Sequence, residues 1–336
     1  MKQLSVGIIG LGIGEQHILG FQAAGARVTA LCDIDPVKRS WAQAKYPECA
    51  IYESAKTLIE DAQLDVVSIA SYDQHHASQA VLALDTGAHV FSEKPLCLTQ
   101  KELSEIHSAL MRNPNSRLST NTILRMSERF RDVRQRIAQG ELGRIYHVEA
   151  DYNYGRLSKV LHGWRGKIKN YSVMLGGGIH MIDLLIWMVN SPVIEVSAIG
   201  NKVCSAGSTF DTPDMVIAWI RFADGTIGKV SANFGCVHPH FHTISLFGTK
   251  GTFFNHINGA TIIPSRDPSA PVIPITSAYP GVAKGDLIPS FIDAIHGRGS
   301  PVVDENAVFA SVSTALAIDR SLETGKPEPV QIYSFS

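Results

Sequence analysis

Three glycines at alternate positions, Gly10, Gly12 and Gly14, directly follow the apolar run Val6-Gly7-Ile8-Ile9 and precede a stretch with helical spacing. Between a strand and a helix such glycines bind an anion. The first permits a tight turn, the second lets the backbone approach a pyrophosphate, and the helix offers its N-terminal amides and positive dipole end. Counted strictly as G-x-G-x-x-G from Gly10, the last glycine would fall on Glu15. Gly14 therefore serves in a turn one residue shorter, with Ile13 beside it on the cofactor and Glu15 turned away from the phosphates. About twenty residues beyond the glycines, Cys32-Asp33 ends a second apolar run. An acidic side chain there accepts from both hydroxyls of an adenosine ribose and repels a 2′-phosphate. The expected cofactor is NAD, with Lys38 and Arg39 close enough in sequence to keep NADP as the lesser alternative.

These residues need a scaffold of parallel strands, and the first third of the chain supplies its pattern. Short β-branched runs at 4–9, 27–32, 65–70 and 89–91 alternate with helical stretches at about 13–24, 36–45, 55–61 and 73–86, as strands joined by helical crossovers do. Pro36 stands at a first-turn position, and Thr99 with Glu102 makes a capping-box pair for a further helix. From about residue 120 the pattern changes. A basic helix at 128–139 precedes strands at 143–154, 193–203, 214–222, 226–234 and 241–247, with Asp224-Gly225 marking a hairpin and one apolar helix at 178–190. The proline-rich stretch 264–285 reads as a surface loop, followed by helices at 285–297 and 304–323. The expected fold is α/β: a Rossmann domain over 1–121, then an α+β domain over 122–336 built on a large, mostly antiparallel, open-faced sheet. The C-terminal helices are placed to pack back on the first domain.

Bulk properties narrow the function further. A chain of 336 residues with 45% hydrophobic and 18% charged residues is a folded protein of about two domains. Its 30 basic and 31 acidic residues leave a net charge of -1, which gives no basis for nucleic-acid or polybasic membrane binding. Five scattered cysteines without a CxxC pair, and no apolar run long enough to span a bilayer, suit a cytoplasmic protein with reduced thiols. No metal is expected.

The tripeptide Glu93-Lys94-Pro95 follows the strand at 89–91. Together with the glycine turn, Asp33, the stretch from Ser71 to Ala80 that holds His76, and Gly178-Ile179-His180-Met181-Ile182-Asp183, it resembles the glucose–fructose oxidoreductase / inositol dehydrogenase / MocA family over nearly the whole chain. The resemblance implies hydride transfer between a nicotinamide and a secondary alcohol or ketone carbon of a polyol, sugar or sugar derivative. It implies that Lys94 sits beside the nicotinamide and binds the reacting hydroxyl, that Glu93 orients it, and that Ser71, His76, Glu93 and Lys94 join the cofactor site. His180 is then the general acid/base. The physics agrees: ligands bind at the carboxyl ends of parallel strands, an ammonium there stabilises a developing alkoxide, and an imidazole titrates near working pH. Taken alone, a Glu-Lys pair before a turn is ordinary surface chemistry, and a histidine in an apolar helix is an ordinary core residue.

One departure bears on the substrate. Many members of that family carry an aspartate four residues before the histidine, and here that position is Gly176, within Leu175-Gly176-Gly177-Gly178. The missing carboxylate leaves open a strict inositol-dehydrogenase mechanism, and the glycines could admit a bulkier substrate or the nicotinamide. Asp183, three residues past His180 on the same helical face, is expected to orient the imidazole. Tyr152, Tyr154, Arg156, Trp164 and Arg165, with His162, Lys167 and Lys169, lie between strand and helix and are expected at the pocket rim. Rings there would stack on a sugar and cations hold a carboxylate or phosphate, the alternative being a solvated loop. Arg125 and Arg129 read as structural pairing partners. Relatives imply a homodimer or homotetramer formed through the open sheet face. Two other readings stand beside the dehydrogenase: a lyase or hydrolase that keeps NAD bound and forms no net NADH, and a non-catalytic NAD-binding regulator, against which Lys94 and His180 together argue.

Overall fold

The computed structural model describes residues 2–169 and 171–335. The chain divides into one compact unit of Met1–Ile123 with Val282–Val308, and another of Leu124–Gly281 with Phe309–Ser336. The first unit thus takes in a stretch that lies far along the sequence.

In the first unit β1 (Ser5–Ile9), α1 (Gly14–Ala23), β2 (Arg27–Cys32), α2 (Pro36–Lys45), β3 (Ala50–Tyr52), α3 (Ala55–Asp61), β4 (Val66–Ile69), α4 (His76–Asp85), β5 (His89–Ser92), α5 (Gln100–Arg112) and β6 (Leu118–Thr120) follow one another. The sheet is parallel throughout, in the order β3-β2-β1-β4-β5-β6. The order reverses between β1 and β4, and ligands of such sheets bind at the carboxyl ends of the strands at that point. Every residue of β4 is buried, as expected for a strand covered by helices on both faces. The helices begin where a side chain satisfies their orphan amides: Asp35 accepts from the Val37 N–H ahead of Pro36, Ser54 from the Thr57 N–H, and Thr99 and Glu102 form the reciprocal capping box.

The second unit holds α6 (Glu128–Ala138), β7 (Ile145–Asn153), α7 (Leu157–Leu161), α8 (Ile179–Val189), β8 (Val193–Asn201), β9 (Met215–Phe222), β10 (Ile227–Asn233), β11 (Phe241–Gly248), β12 (Thr252–His256), β13 (Gly259–Ile263) and β14 (Ile273–Ile275). Next along the chain, α9 (Ile288–Ile295) belongs to the first unit, α10 (Glu305–Thr324) starts in the first and ends in the second, and β15 (Glu328–Pro329) closes the second. Its nine strands run β14-β13-β12-β11-β7-β10-β9-β8-β15, antiparallel except for the parallel pair β7 and β10.

Alternation gives that sheet two unlike faces. Val148, Ala150 and Tyr152 of β7, Val230 and Ala232 of β10, and Ile244 and Leu246 of β11 are buried, and α8 packs against β7 and β10. Apart from His180 and Asp183 this helix is apolar, as a largely buried helix is, and it ends at Asn190 in the left-handed conformation. The opposite face carries Ile199 and Trp219, 73% and 57% exposed, beside paired charges such as Lys229 and Asp151. Among the described residues no helix is long and apolar enough to cross a membrane, and no group of three or more His, Cys, Asp or Glu is placed to hold a metal ion.

Candidate active site

The glycine turn is built around Gly10. Its φ of +87° is a conformation few side chains tolerate, and a Cβ there would press into the Ala70 carbonyl. Its amide donates to the Cys32 carbonyl at 2.8 Å, which ties the end of β1 to the end of β2. A Cβ on Gly12 would meet only the Lys38 ammonium, 3.6 Å away, so the backbone there is open to a ligand. Gly14 lets α1 lie against Ile8 of β1. Asp33 is buried, accepting from the Leu11 N–H at 2.8 Å and the Asp35 N–H at 2.9 Å, with the Lys38 ammonium 3.4 Å away. It therefore fastens the glycine turn, and a carboxylate has lone pairs left for a ribose. Ile34 and Val37, 69% and 74% exposed, flank it. They form an apolar surface suited to an adenine, which sequence reading passed over although two apolar residues beside a loop aspartate were a visible signal. Cradle, helix N-terminus and carboxylate together fit a dinucleotide such as NAD.

Lys94 follows β5, is buried, and precedes Pro95 through a cis peptide bond. Around it Glu93, His76 and Ser71 all have hydrogen-bond partners within the protein. The Glu93 carboxylate lies 3.3 Å from His17 Nε2 and 3.9 Å from the Lys284 ammonium, and accepts from Asn121 Nδ2 at 2.7 Å. Burial pushes this carboxyl up, but the Lys284 charge, aided by His17 and Asn121, outweighs it and holds the group below the usual carboxylate range. Glu93 thus ties the backbone that carries Lys94 to His17, Asn121 and Lys284. The His76 ring, fully buried, sets Nδ1 2.7 Å from the Pro95 carbonyl and Nε2 3.0 Å from the Ser71 carbonyl. The ring thus sits between the turn at Pro95 and the turn at Ser71 and links them. The Ser71 hydroxyl donates to Gln79 at 2.7 Å.

In the second unit His180 opens α8, just after a π-helical turn at Met174–Gly178. The three glycines of that turn lie against aromatic and sulfur atoms. A Cβ on Gly176 would collide with the Tyr171 hydroxyl, one on Gly177 with the Tyr152 ring, and one on Gly178 would crowd Met174. The place a side chain at 176 would occupy is filled by Tyr171, a residue sequence reading did not single out. The turn itself is held by Ser172, whose hydroxyl accepts from the Leu175 N–H at 3.0 Å and donates to Asp319 at 2.8 Å. Burial raises the Asp319 carboxyl to about 7. The folded state therefore holds a proton that the unfolded chain has already lost above its ordinary carboxylate range, near ~4. Stability is expected to fall as pH rises from there through 7. Asp319→Asn should flatten that slope and raise Tm at pH 8, checked by melting curves across pH.

Asp183 does not orient His180. Its two oxygens accept from Arg125 Nε and Nη2 at 2.8 Å each, and one also from the Ser311 hydroxyl at 3.1 Å, with both charged partners buried. The Arg125 pairing expected from the sequence is thus present, and Arg129 bonds Asn255 and the Ser277 carbonyl.

The His180 ring stacks on Tyr152, with centroids 6.1 Å apart, and Tyr152 stacks on Tyr154 at 5.9 Å. His240 stands edge-on to Tyr152 at 5.1 Å and His242 lies tilted against it at 5.5 Å, and His242 Nδ1 lies 2.7 Å from the Tyr279 hydroxyl. Tyr152 is buried inside this cluster and supports the His180 ring. His240 and His242 escaped notice, although histidines at 238, 240 and 242 leading into a strand alternate as one face does. The register Tyr152↔His242 brings the second into contact. Arg156 lies over Tyr154 and Arg165 over Trp164.

The sheet order and the glycine cradle define an NAD-binding oxidoreductase of the Rossmann type, and residues 4–121 match the family model for the oxidoreductase family with NAD-binding Rossmann fold. Residues 130–254 match the GFO/IDH/MocA C-terminal domain, and the chain belongs to the GFO/IDH/MocA oxidoreductase family. It is similar to inositol 2-dehydrogenase 2 of Saccharopolyspora erythraea, 23% identical across 98% of this chain and 96% of that one. It is also similar to 1,5-anhydro-D-fructose reductase of Ensifer adhaerens, 25% identical across 97% and 98%. Its fold is that of the WlbA dehydrogenase from Bordetella pertussis, solved with NADH and UDP-GlcNAcA, at a TM-score of 0.82 with 22% identity over 99% of this chain and 100% of that one.

Proposed function

We propose that this oxidoreductase is a dehydrogenase or reductase that interconverts a secondary alcohol and a ketone on a polyol, sugar or sugar derivative. The observation that carries the reading is the dinucleotide cradle of Gly10, Gly12, Gly14 and Asp33 in a chain that also presents a buried lysine at the carboxyl end of β5. The substrates named for the inositol and anhydrofructose relatives support the class. NAD, which Gly10, Gly12, Gly14 and Asp33 would hold, would supply the hydride acceptor for the carbinol carbon. Lys94 binds the hydroxyl and stabilises the alkoxide that develops as its proton leaves, and His180 takes that proton; in reduction the same groups return it. The test is absorbance at the nicotinamide band while the purified protein with NAD or NADP is offered inositols, aldoses, sugar acids and nucleotide sugars. Growth of NADH with one class establishes the dehydrogenase. Conversion of a sugar without net NADH would mark the lyase, and NAD binding with no conversion the regulator.

The reading includes assembly and location. The exposed row of Ile199 and Trp219 on the outer sheet face, with Ile227 at 53%, suits burial against a second copy of the chain in a dimer or tetramer, since contiguous apolar surface is costly to leave in water. Trp219→Asp is expected to shift the protein to monomer in light scattering. Five free thiols suit the cytoplasm.

A further inference from the structure

His242 carries chemistry that the roles of Lys94 and His180 leave unused. It lies on β11, where the register with β7 sets it opposite Tyr152, the ring on which His180 stacks. The His180 and His242 side chains belong to residues that are each 7% exposed. Their ring centres are 6.4 Å apart with planes at 73°, and His240 is 4.9 Å from His242.

A chain of hydrogen bonds that starts at a fixed charge decides where the His242 proton sits. Arg129 of α6 donates from Nε and Nη2 to the Ser277 carbonyl and from Nη1 to Asn255 Oδ1 at 2.9 Å. A guanidinium only donates. Asn255, fully buried on β12, therefore has its oxygen turned to Arg129 and its nitrogen to the His242 carbonyl, 2.7 Å away. The same guanidinium lies 4.9 Å from the centre of the Tyr279 ring, which Phe130 and Phe241 also flank at 5.6 and 5.1 Å. Burial pushes the Tyr279 phenol up, so it keeps its proton and needs an acceptor for it. Its oxygen already accepts from the His242 backbone N–H at 3.2 Å, and the acceptor beside it is His242 Nδ1 at 2.7 Å. The phenol therefore donates to Nδ1, and the neutral imidazole carries its own proton on Nε2.

An N–H···N bond between two imidazoles brings their centres to about 5 Å. At 6.4 Å the rings of His180 and His242 are too far apart for that, and the separation suits one oxygen atom bonded to both. We infer that His242 is a further catalytic residue, a neutral donor whose Nε2–H binds the substrate oxygen from which His180 takes the proton. Arg129, Asn255 and Tyr279 are its positioning residues. During oxidation the hydroxyl proton goes to His180 and His242 keeps its own, so the hydrogen bond from His242 strengthens as negative charge grows on the oxygen.

The inference rests on the dehydrogenase reading above, but one of its tests does not. Nitrogen-15 NMR of the histidine-labelled protein alone, with His242 assigned by the signal lost in His242→Gln, is expected to show Nε2 protonated and Nδ1 bare. Tyr279→Phe should release the ring to a mixture of both forms. Nδ1 protonated in the unmodified protein overturns the inference, and Nε2 still protonated without exchange in Tyr279→Phe overturns the part given to Tyr279. Rates are then measured with whichever of the inositols, aldoses, sugar acids and nucleotide sugars gives NADH fastest. His242→Leu should lower kcat by about 10², the effect of losing one donor to a developing oxyanion. His242→Gln, whose amide places an N–H near the position of Nε2, should recover about tenfold of that loss, with KM for NAD unchanged in both. A kcat near normal in His242→Leu, or equal losses in the two variants, overturns the substrate contact and leaves the dehydrogenase standing. Turnover of no compound by a protein that binds NAD overturns the dehydrogenase reading and the contact together.

Discussion

Lys94→Ala is expected to lower turnover by a factor on the order of 10² or more while NAD binds as before, and His180→Ala to do the same. The first change should leave the fold intact. The backbone at 94 is fixed on one side by the Glu93 carboxylate, through His17, Asn121 and Lys284, and on the other by His76 against the Pro95 carbonyl. Loss of the ammonium then reports on chemistry. The His180 ring packs on Tyr152, so its removal also leaves a gap, and His180→Gln, which keeps most of the volume, separates the two effects. Steady-state rates, with nicotinamide fluorescence for cofactor binding, decide the matter. Near-normal rates in both variants would remove the proposed roles.

Asp183→Ala should be the most damaging change to stability on the helix of His180, costing about 3–5 kcal/mol by removing the carboxylate that pairs with a buried guanidinium. Arg125 loses two charge-assisted hydrogen bonds and Ser311 one acceptor. In urea the midpoint should fall with little change in slope, and at low temperature the surviving folded enzyme should keep its KM. The paired replacement Arg125→Met with Asp183→Leu should recover most of the loss, because it leaves no buried charge uncompensated. A variant with normal stability and a raised KM would instead return Asp183 to the substrate.

Much of the first unit was legible because its strands and helices each carry their own signal: β-branched runs, Pro36 behind Asp35, Thr99 paired with Glu102. The short strands β3 and β6, three residues each, are below the length at which alternation can be seen. In the second unit β7 to β11 were readable, whereas β14 lies in a proline-rich stretch that reads as loop, and β12 and β13 follow so closely on β11 that no separate run stood out. The parallel pairing of β7 with β10 was hidden because neighbours in a sheet are chosen by tertiary packing and not by either strand. The same limit governed the site. Gly10 and Asp33 could be placed from spacing, and Lys94 and His180 from resemblance. The tasks of Glu93, His76 and Asp183 depended on partners remote in sequence, Lys284 and Ser311 among them, and a residue's type does not say which neighbour uses its hydrogen-bonding atoms.

The return of residues 282–308 to the first unit makes that unit a composite of two sequence segments. Leu118 N–H donates to Glu305, the Ser119 hydroxyl to the Val303 carbonyl, Asn121 to the Lys284 carbonyl, and Phe91 packs on Phe291. A gene fragment that stops near residue 121 would omit every one of these later partners, so the cofactor-binding half is not a portable module. Recombination between relatives would have to exchange both segments together to carry it across.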